Sequence, residues 1–260
     1  MSTWATRRRF MYSTFVIFVL IVLVVIPLFY FFYKPPTCAD KIMNGDETGV
    51  DCGGSCVMLC QNIFLPPKIV WGGAKFEKIS NGVYNFASLI INQNVDAGAV
   101  DVPYKISIYD ESGLMIKEQF GKVTLYPHRS SLAFNPLVNL DKSIPFKATF
   151  EFTSPPVWYR AVDELDKLVV LDKKYTEDND SSSLEVVLEN RGLFPYKNID
   201  VAVVLSDING NTIGFSRTNI DNLNSKNSRE TASYTWPINR NNKVTSIDVL
   251  PIIDPVFLNR

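Results

Sequence analysis

The sequence predicts an all-β exported region held by one N-terminal transmembrane helix, and three observations predict it. Residues 10–33 form an uncharged apolar run of 24 residues. All four cysteines fall within residues 38–60. Beyond them, apolar and polar residues alternate in short stretches bounded by Gly, Asp, Asn and Pro, and the order of these stretches recurs later in the chain. Abundant Val, Ile, Phe, Tyr, Asn, Ser and Thr, with little Ala, also favours strands over helices.

At about 1.5 Å rise per residue, the apolar run makes a helix roughly 36 Å long, enough to cross a hydrocarbon core of about 30 Å with some tilt. Arg7, Arg8 and Arg9 precede it directly, whereas the far flank opens with one cation, Lys34, and then Pro35-Pro36. Such a bias leaves residues 1–9 as a cytoplasmic stub and exports everything after residue 33. A cleaved signal peptide has a shorter apolar region and a small-residue cleavage site. Here the exit, Pro27 to Tyr33, is bulky after the proline, so the run reads as an uncleaved signal-anchor. Tyr30 and Tyr33 suit an interfacial aromatic belt, and Pro27 is a tolerated kink near the outer interface. Pro-Pro before Thr37-Cys38 is unlike the run that precedes a lipid-modified cysteine.

The 226 residues after residue 34 carry 22 basic and 27 acidic side chains, a net charge of −5. This balance argues against nucleic acid and against docking on anionic lipid. The length suits two ordinary domains.

Residues 36–62 hold Cys38, Cys52, Cys56 and Cys60 in the spacing C-x13-C-x3-C-x3-C. An even cysteine count in an exported context implies disulfides, with three possible connectivities. A segment this short buries little core, so cross-links would hold it by limiting its unfolded states. Asn44-Gly45 and Gly53-Gly54 supply turns where a positive φ is cheap. Two other uses of the segment compete. One is zinc held by four thiolates, against which stand the long first gap and the lack of a C-x2-C pair. The other is calcium, for which Asp40, Asn44, Asp46, Glu47 and Asp51 offer oxygen ligands around Gly45, in a spacing unlike an EF-hand. The run from Cys38 through Asp40, Asn44-Gly45, Glu47-Thr48, Asp51-Cys52-Gly53-Gly54 and Cys56 to Cys60 resembles a short cysteine motif, C-x-D-x-x-x-N-G-x-E-T-x-x-D-C-G-G-x-C-x-x-C, of bacterial cell-surface and secreted proteins. The motif ends with two residues between its last cysteines, whereas this chain has Val57, Met58 and Leu59 there. The resemblance implies an exported spacer module.

Period-two stretches follow at 83–91, 102–109, 132–134 and 146–152, each the mark of an antiparallel strand with one wet face. A second set follows at 184–189, 199–205, 212–215, 229–236 and 244–253. Asn92 and Asn190 are 98 residues apart, Asp110 and Asp207 97, and Leu125 and Leu223 98, so the region reads as two copies of one domain. Six or seven short strands per copy predict two tandem β-sandwiches of immunoglobulin or fibronectin type III character, at 63–156 and 160–260. The Cys…Trp…Cys core of antibody-type domains is missing. Ser112-Gly113 and Asn209-Gly210 mark a hairpin in each copy, with Asp110 and Asp207 placed to hydrogen-bond into the turn. The units at 106–116 and 203–213, with the preceding Asn92 and Asn190, resemble the small sandwich domains of bacterial envelope proteins of the FxLYD and CARDB kinds.

Ser154-Pro155-Pro156 reads as a stiff linker, with Trp158 and Tyr159 packing at the joint, and Asp172 to Ser183 as a solvated loop. No catalytic constellation is apparent. His128 is the single histidine, no G-x-S-x-G, P-loop or G-x-G-x-x-G occurs, and the acid pairs Asp110-Glu111 and Asp163-Glu164 sit in turns or linkers. The expectation is a non-catalytic, single-pass cell-membrane protein that presents its domains outside the cytoplasm, with an envelope protein or a second copy as partner. Alternatives are a carbohydrate-binding or adhesive module using Tyr109, Tyr126, Phe194 and Tyr196, and a calcium-dependent interaction module.

Overall fold

The computed structural model describes residues 4–32, 35–162, 164–178, 181–237, 243–253 and 256–257. Tyr33 and Lys34 at the exit of the apolar run, Asp163 of the second acid pair and residues 179–180 of the expected polar loop lie outside this set. The chain is mostly β-sheet with one N-terminal apolar helix, and it falls into two compact units, Met1–Gly54 and Ser55–Arg260.

In the first unit, α1 spans Trp4–Phe32. Its apolar side chains are exposed along its length, and within it Thr6–Phe32 is long and apolar enough to cross a membrane. Its few hydroxyls are not left bare. Ser13 Oγ and Thr14 Oγ1 both donate back to the Phe10 carbonyl, at 3.0 and 2.8 Å. Pro27 lies inside the helix, where it removes one backbone donor.

Among the described residues, the second unit holds fifteen strands. The first eight are β1 (Lys68–Ile69), β2 (Lys75–Ser80), β3 (Val83–Ile91), β4 (Ala97–Tyr109), β5 (Met115–Leu125), β6 (Ser130–Asn139), β7 (Lys147–Phe152) and β8 (Tyr159–Val162). In one sheet β3 pairs antiparallel with β1, β2 and β6; in another β4 pairs with β5 and β7. The two sheets share an apolar core that includes Phe86, Ile90, Tyr104, Ile106, Ile108, Leu125 and Phe150. The remaining strands are β9 (Leu168–Glu177), β10 (Ser181–Asn190), β11 (Tyr196–Ser206), β12 (Thr212–Leu223), β13 (Ser228–Pro237), β14 (Ser246–Ile252) and β15 (Val256–Phe257). Here β10 pairs with β9 and β13, and β11 with β12 and β14, around a core of Leu184, Val186, Leu188, Ile199, Val201, Val203, Leu223, Tyr234 and Trp236. The pairing scheme of β9–β14 thus repeats that of β2–β7 strand for strand.

The equivalence extends to single side chains. Asn92 is fully buried; its Nδ2 donates to the Ala97 and Tyr126 carbonyls at 2.7 and 2.9 Å, and its Oδ1 accepts the Asn94 N–H at 3.0 Å. Asn190, equally buried, donates to the Phe194 and Leu223 carbonyls at 2.8 and 3.3 Å and accepts the Gly192 N–H at 2.8 Å. The hairpin turns match as well. Asp110 N–H donates to Leu114 O and Gly113 N–H to Asp110 O, and Asp207, Asn211 and Gly210 repeat both bonds. Gly113 and Gly210 supply the positive φ that each turn needs.

Two expectations are corrected. The stretch Asp172–Ser183 is not a loop: β9 runs to Glu177 and β10 starts at Ser181. Its polarity is that of an edge strand with a wet face, while Tyr175 turns in to pack on the second core. Nor does β3 have one wet face. Its residues 84–88 are all buried, as are residues 201–205 of β11. The reason is that the outer face of β3 and β6 packs against β11 and β12, with Ala87, Leu132 and Phe134 meeting Ala202, Val204 and Phe215.

The linker is pinned down too. Trp158, expected at the joint between domains, is instead buried in the first core, 6.1 Å from the Phe64 ring, and β8 pairs with the start of β4 and with β15. Leu59 N–H donates to Trp158 O and Arg160 N–H to Val57 O, so residues 57–59 are bonded into the β-rich unit. Several outward-facing edge groups are capped. Asn135 Nδ2 covers the Phe120 carbonyl of β5, and Lys173 Nζ the Ile247 carbonyl of β14, where Pro251 also removes a donor.

Candidate functional site

All four cysteines, Cys38, Cys52, Cys56 and Cys60, are disulfide-bonded, so they are not the thiolates that a zinc site requires. The loop that Cys38 and Cys52 bracket is built by its carboxylates. Asp40 accepts the Ile42 N–H at 2.9 Å, the Thr37 N–H at 3.3 Å and the Asn44 Nδ2 at 3.0 Å. The Asn44 side-chain bond, ahead of the backbone bonds, holds the Asp40 carboxyl below its ordinary range. Both oxygens of Asp51 accept the Lys41 N–H at 3.0 Å, and Glu47 Oε2 accepts the N–H groups of Asn44 and Asp51. Gly53 and Gly54 have positive φ, and a Cβ on Gly54 would lie 2.1 Å from the Asp46 carbonyl oxygen. Asp40, Asn44, Glu47, Asp51 and the two glycines therefore each do work in folding the loop. One polar atom is left over: Asn44 Oδ1 is buried without a hydrogen-bond partner.

Arg7, Arg8 and Arg9 are all exposed on the first turns of α1, with the Arg8 guanidinium 4.5 Å from the centre of the Trp4 ring. The aromatics considered for sugar binding do not assemble. Tyr126 is buried in the second core and donates to the Ile253 carbonyl, and Tyr196 packs on that same core. Phe194 is exposed in the β10–β11 turn, and Tyr109 is half-buried at the end of β4. Tyr109 lines a shallow cavity of about 360 Å3 with Asp110, Glu111, Phe146, Lys147 and Thr149. Leu114, Ile144 and Phe146 are exposed at this tip of the first half. His128 is exposed in a turn at positive φ, its N–H donating to the Asn94 carbonyl.

Two further clusters are not legible in the sequence. Glu189, buried at the end of β10, is held by Arg191 Nε at 2.7 Å and Arg229 Nε at 2.9 Å, and these bonds lower its pKa. The second lies where the halves meet. The Phe215 ring sits 5.9 Å from Trp71 and 6.3 Å from Phe134, Lys75 lies over Trp71, and Arg217 lies over Phe134 while pairing with Asp200 at 3.6 Å. Glu77, on β2, accepts the Phe215 backbone N–H there. The only sequence signal for this junction is the loss of alternation in β3 and β11.

No family model matches the chain, and no curated protein matches it in sequence. Among solved structures it is similar to a glycoside hydrolase family 2 beta-glucuronidase, with a TM-score of 0.25 and 11% identity over 84% of this chain and 29% of that one. Red sea bream transglutaminase gives a TM-score of 0.24 and 9% identity over 75% and 32%. Bacteroides uniformis beta-glucuronidase 2 gives 0.21 and 11% over 72% and 32%. The chain spans about a third of the length of these structures, and TM-scores this low carry no argument about fold or chemistry.

Proposed function

We propose that the chain is a non-catalytic, single-pass membrane protein whose N-terminus stays in the cytoplasm and whose two immunoglobulin-like sandwiches stand outside as a structural and protein-interaction module. The observation that carries this reading is the fully exposed apolar helix on a chain whose cysteines are all oxidised. An exposed apolar helix of this length needs a bilayer, and disulfides belong to an oxidising compartment. Arg7, Arg8 and Arg9 support the orientation. The shared pairing scheme and the matched Asn92 and Asn190 support two copies of one sandwich, and with them the likeness to FxLYD- and CARDB-type envelope domains. The partner in this reading is an envelope protein or a second copy.

Protease added to intact cells, after opening any outer envelope layer, tests topology. Loss of the β-rich unit with survival of an N-terminal fragment is expected; full protection would overturn the orientation. Mass measurement of the membrane-extracted chain tests anchoring, since a mature chain beginning beyond residue 33 would mean a cleaved signal sequence. Calcium in the 38–51 loop is a second reading, favoured by the unpartnered Asn44 Oδ1. An unchanged melting temperature with calcium and with chelator would sink it.

A further inference from the structure

The junction between the halves holds an ionisable group in an unusual position. Glu77 projects from β2 on the same side as Lys75, toward the second half. Its carboxyl accepts one hydrogen bond, from the Phe215 N–H on β12, while its Oε2 is buried with no partner. The Phe215 carbonyl is covered by Trp236 Nε1, so both backbone groups of this residue are held by side chains. Beside these bonds lie the apolar faces of Ala87, Leu132, Phe134, Ala202, Val204 and Phe215.

The charged neighbours are committed elsewhere. Lys75 on β2 lies over Trp71 and faces Asp207 of the β11–β12 turn. Arg217 on β12 pairs with Asp200 of β11 and lies over Phe134 of β6. The cross-strand neighbour on β3 is Asn85, which does not titrate. Among the described residues no cation pairs with Glu77, so an ionised carboxylate would sit in the junction with a single backbone N–H against its desolvation.

We propose that Glu77 is a proton-operated latch between the two halves. Protonated, it closes the outer faces of β3 and β6 onto β11 and β12. When it releases its proton to solvent, this face of the junction opens so that the carboxylate can be hydrated, while the Tyr126–Ile253 hydrogen bond and the β8–β15 pairing keep the halves joined and both cores folded. Burial supports this by pushing the Glu77 pKa up from 4.5 to about 7. The sign follows from linkage: the closed junction binds the proton more tightly than the open one, so closure is favoured at low pH and weakens as pH rises from about 4.5 to about 7. With those two values, the opening constant rises about 70-fold between pH 5 and pH 8. The device makes the closure of this junction a function of pH.

Hydrogen exchange of the full chain in detergent or nanodiscs, corrected for the intrinsic pH dependence of exchange, tests the latch. The Phe215 amide should lose protection about 70-fold from pH 5 to pH 8, while core amides such as Ile106 and Val186 keep theirs. Glu77→Gln, which keeps the shape and one acceptor but cannot ionise, should flatten the profile. Phe134→Ala, which removes junction packing without touching Glu77, should raise Phe215 exchange at both pH values and so mark the open state. The latch is refuted if wild-type Phe215 protection is equal at pH 5 and 8, if its loss persists in Glu77→Gln, or if the core amides lose protection with it.

Discussion

Replacing Asn92 or Asn190 by leucine should destabilise the chain by unequal amounts, and the inequality can be worked out beforehand. Each side chain satisfies three backbone groups, and leucine keeps the branching at Cγ but is bulkier and has no polar atoms, so its added volume can only deepen the loss. At Asn92 the stranded groups are the carbonyls of Ala97 and Tyr126 and the Asn94 N–H, and all three residues are buried. A buried group left without a partner costs roughly 1–3 kcal/mol, so three give about 4 kcal/mol after some relaxation. At Asn190 the Leu223 carbonyl is buried, but Phe194 is exposed and Gly192 is half-exposed, so water can take over two of the three groups. The expected loss there is about 2 kcal/mol. Urea unfolding of the full chain in detergent reads both, with Trp158 reporting the first core and Trp236 the second. A loss below about 1 kcal/mol for Asn92→Leu, or the reverse order of the two variants, would refute the assignment of these asparagines as loop pins.

Four further outcomes are expected. Glu189→Gln should lower the urea midpoint at pH 7, and the gap to wild type should close in acid, because a carboxyl held low by Arg191 and Arg229 stabilises the fold above its ordinary pKa and stops doing so as pH falls through the depressed one. Gly54→Ala should disrupt the 38–51 loop, since the new Cβ meets the Asp46 carbonyl oxygen, whereas Gly113→Ala, with open space around it, should cost only about 1 kcal/mol of backbone strain; amide exchange and urea melts separate the two. Gly121→Ala should be worse than Gly113→Ala in the same melts, because its Cβ would fall 2.4 Å from the Tyr104 hydroxyl oxygen. Reductant should raise exchange at the Lys41 and Asp51 amides while the amides of β4 and β10 stay protected, since the loop has carboxylate bonds but little core of its own.

Much of this architecture is legible in the chain because it rests on local chemistry. The apolar run, the turn glycines Gly113 and Gly210, and the loop residues Asp40, Asn44, Glu47 and Asp51 act on neighbours within about ten positions, so spacing reveals them. The same holds for the strand Val83–Ile91, whose bounds match the alternating stretch. What alternation misreads is a sheet covered on both faces, as in β3, or an edge strand with a long polar face, as in β9. Glu77 is opaque for a different reason. Within β2 it looks like any exposed acid, and its burial comes from Phe215, which lies well over a hundred residues further along the chain. Asn44, by contrast, is legible as a turn residue, but its unpartnered oxygen is not.

The capped strand edges bear on how copies of this chain behave together. A membrane anchor of the kind proposed concentrates copies in two dimensions and presents all of them in one orientation, conditions under which open strand edges would zip neighbouring molecules into fibres. Asn135, Lys173 and Pro251 take away backbone groups that such zipping needs, and β7, only six residues long, carries Lys147 and Glu151. Crowding on the bilayer can then raise the chance of meeting a partner without turning each encounter into an irreversible one.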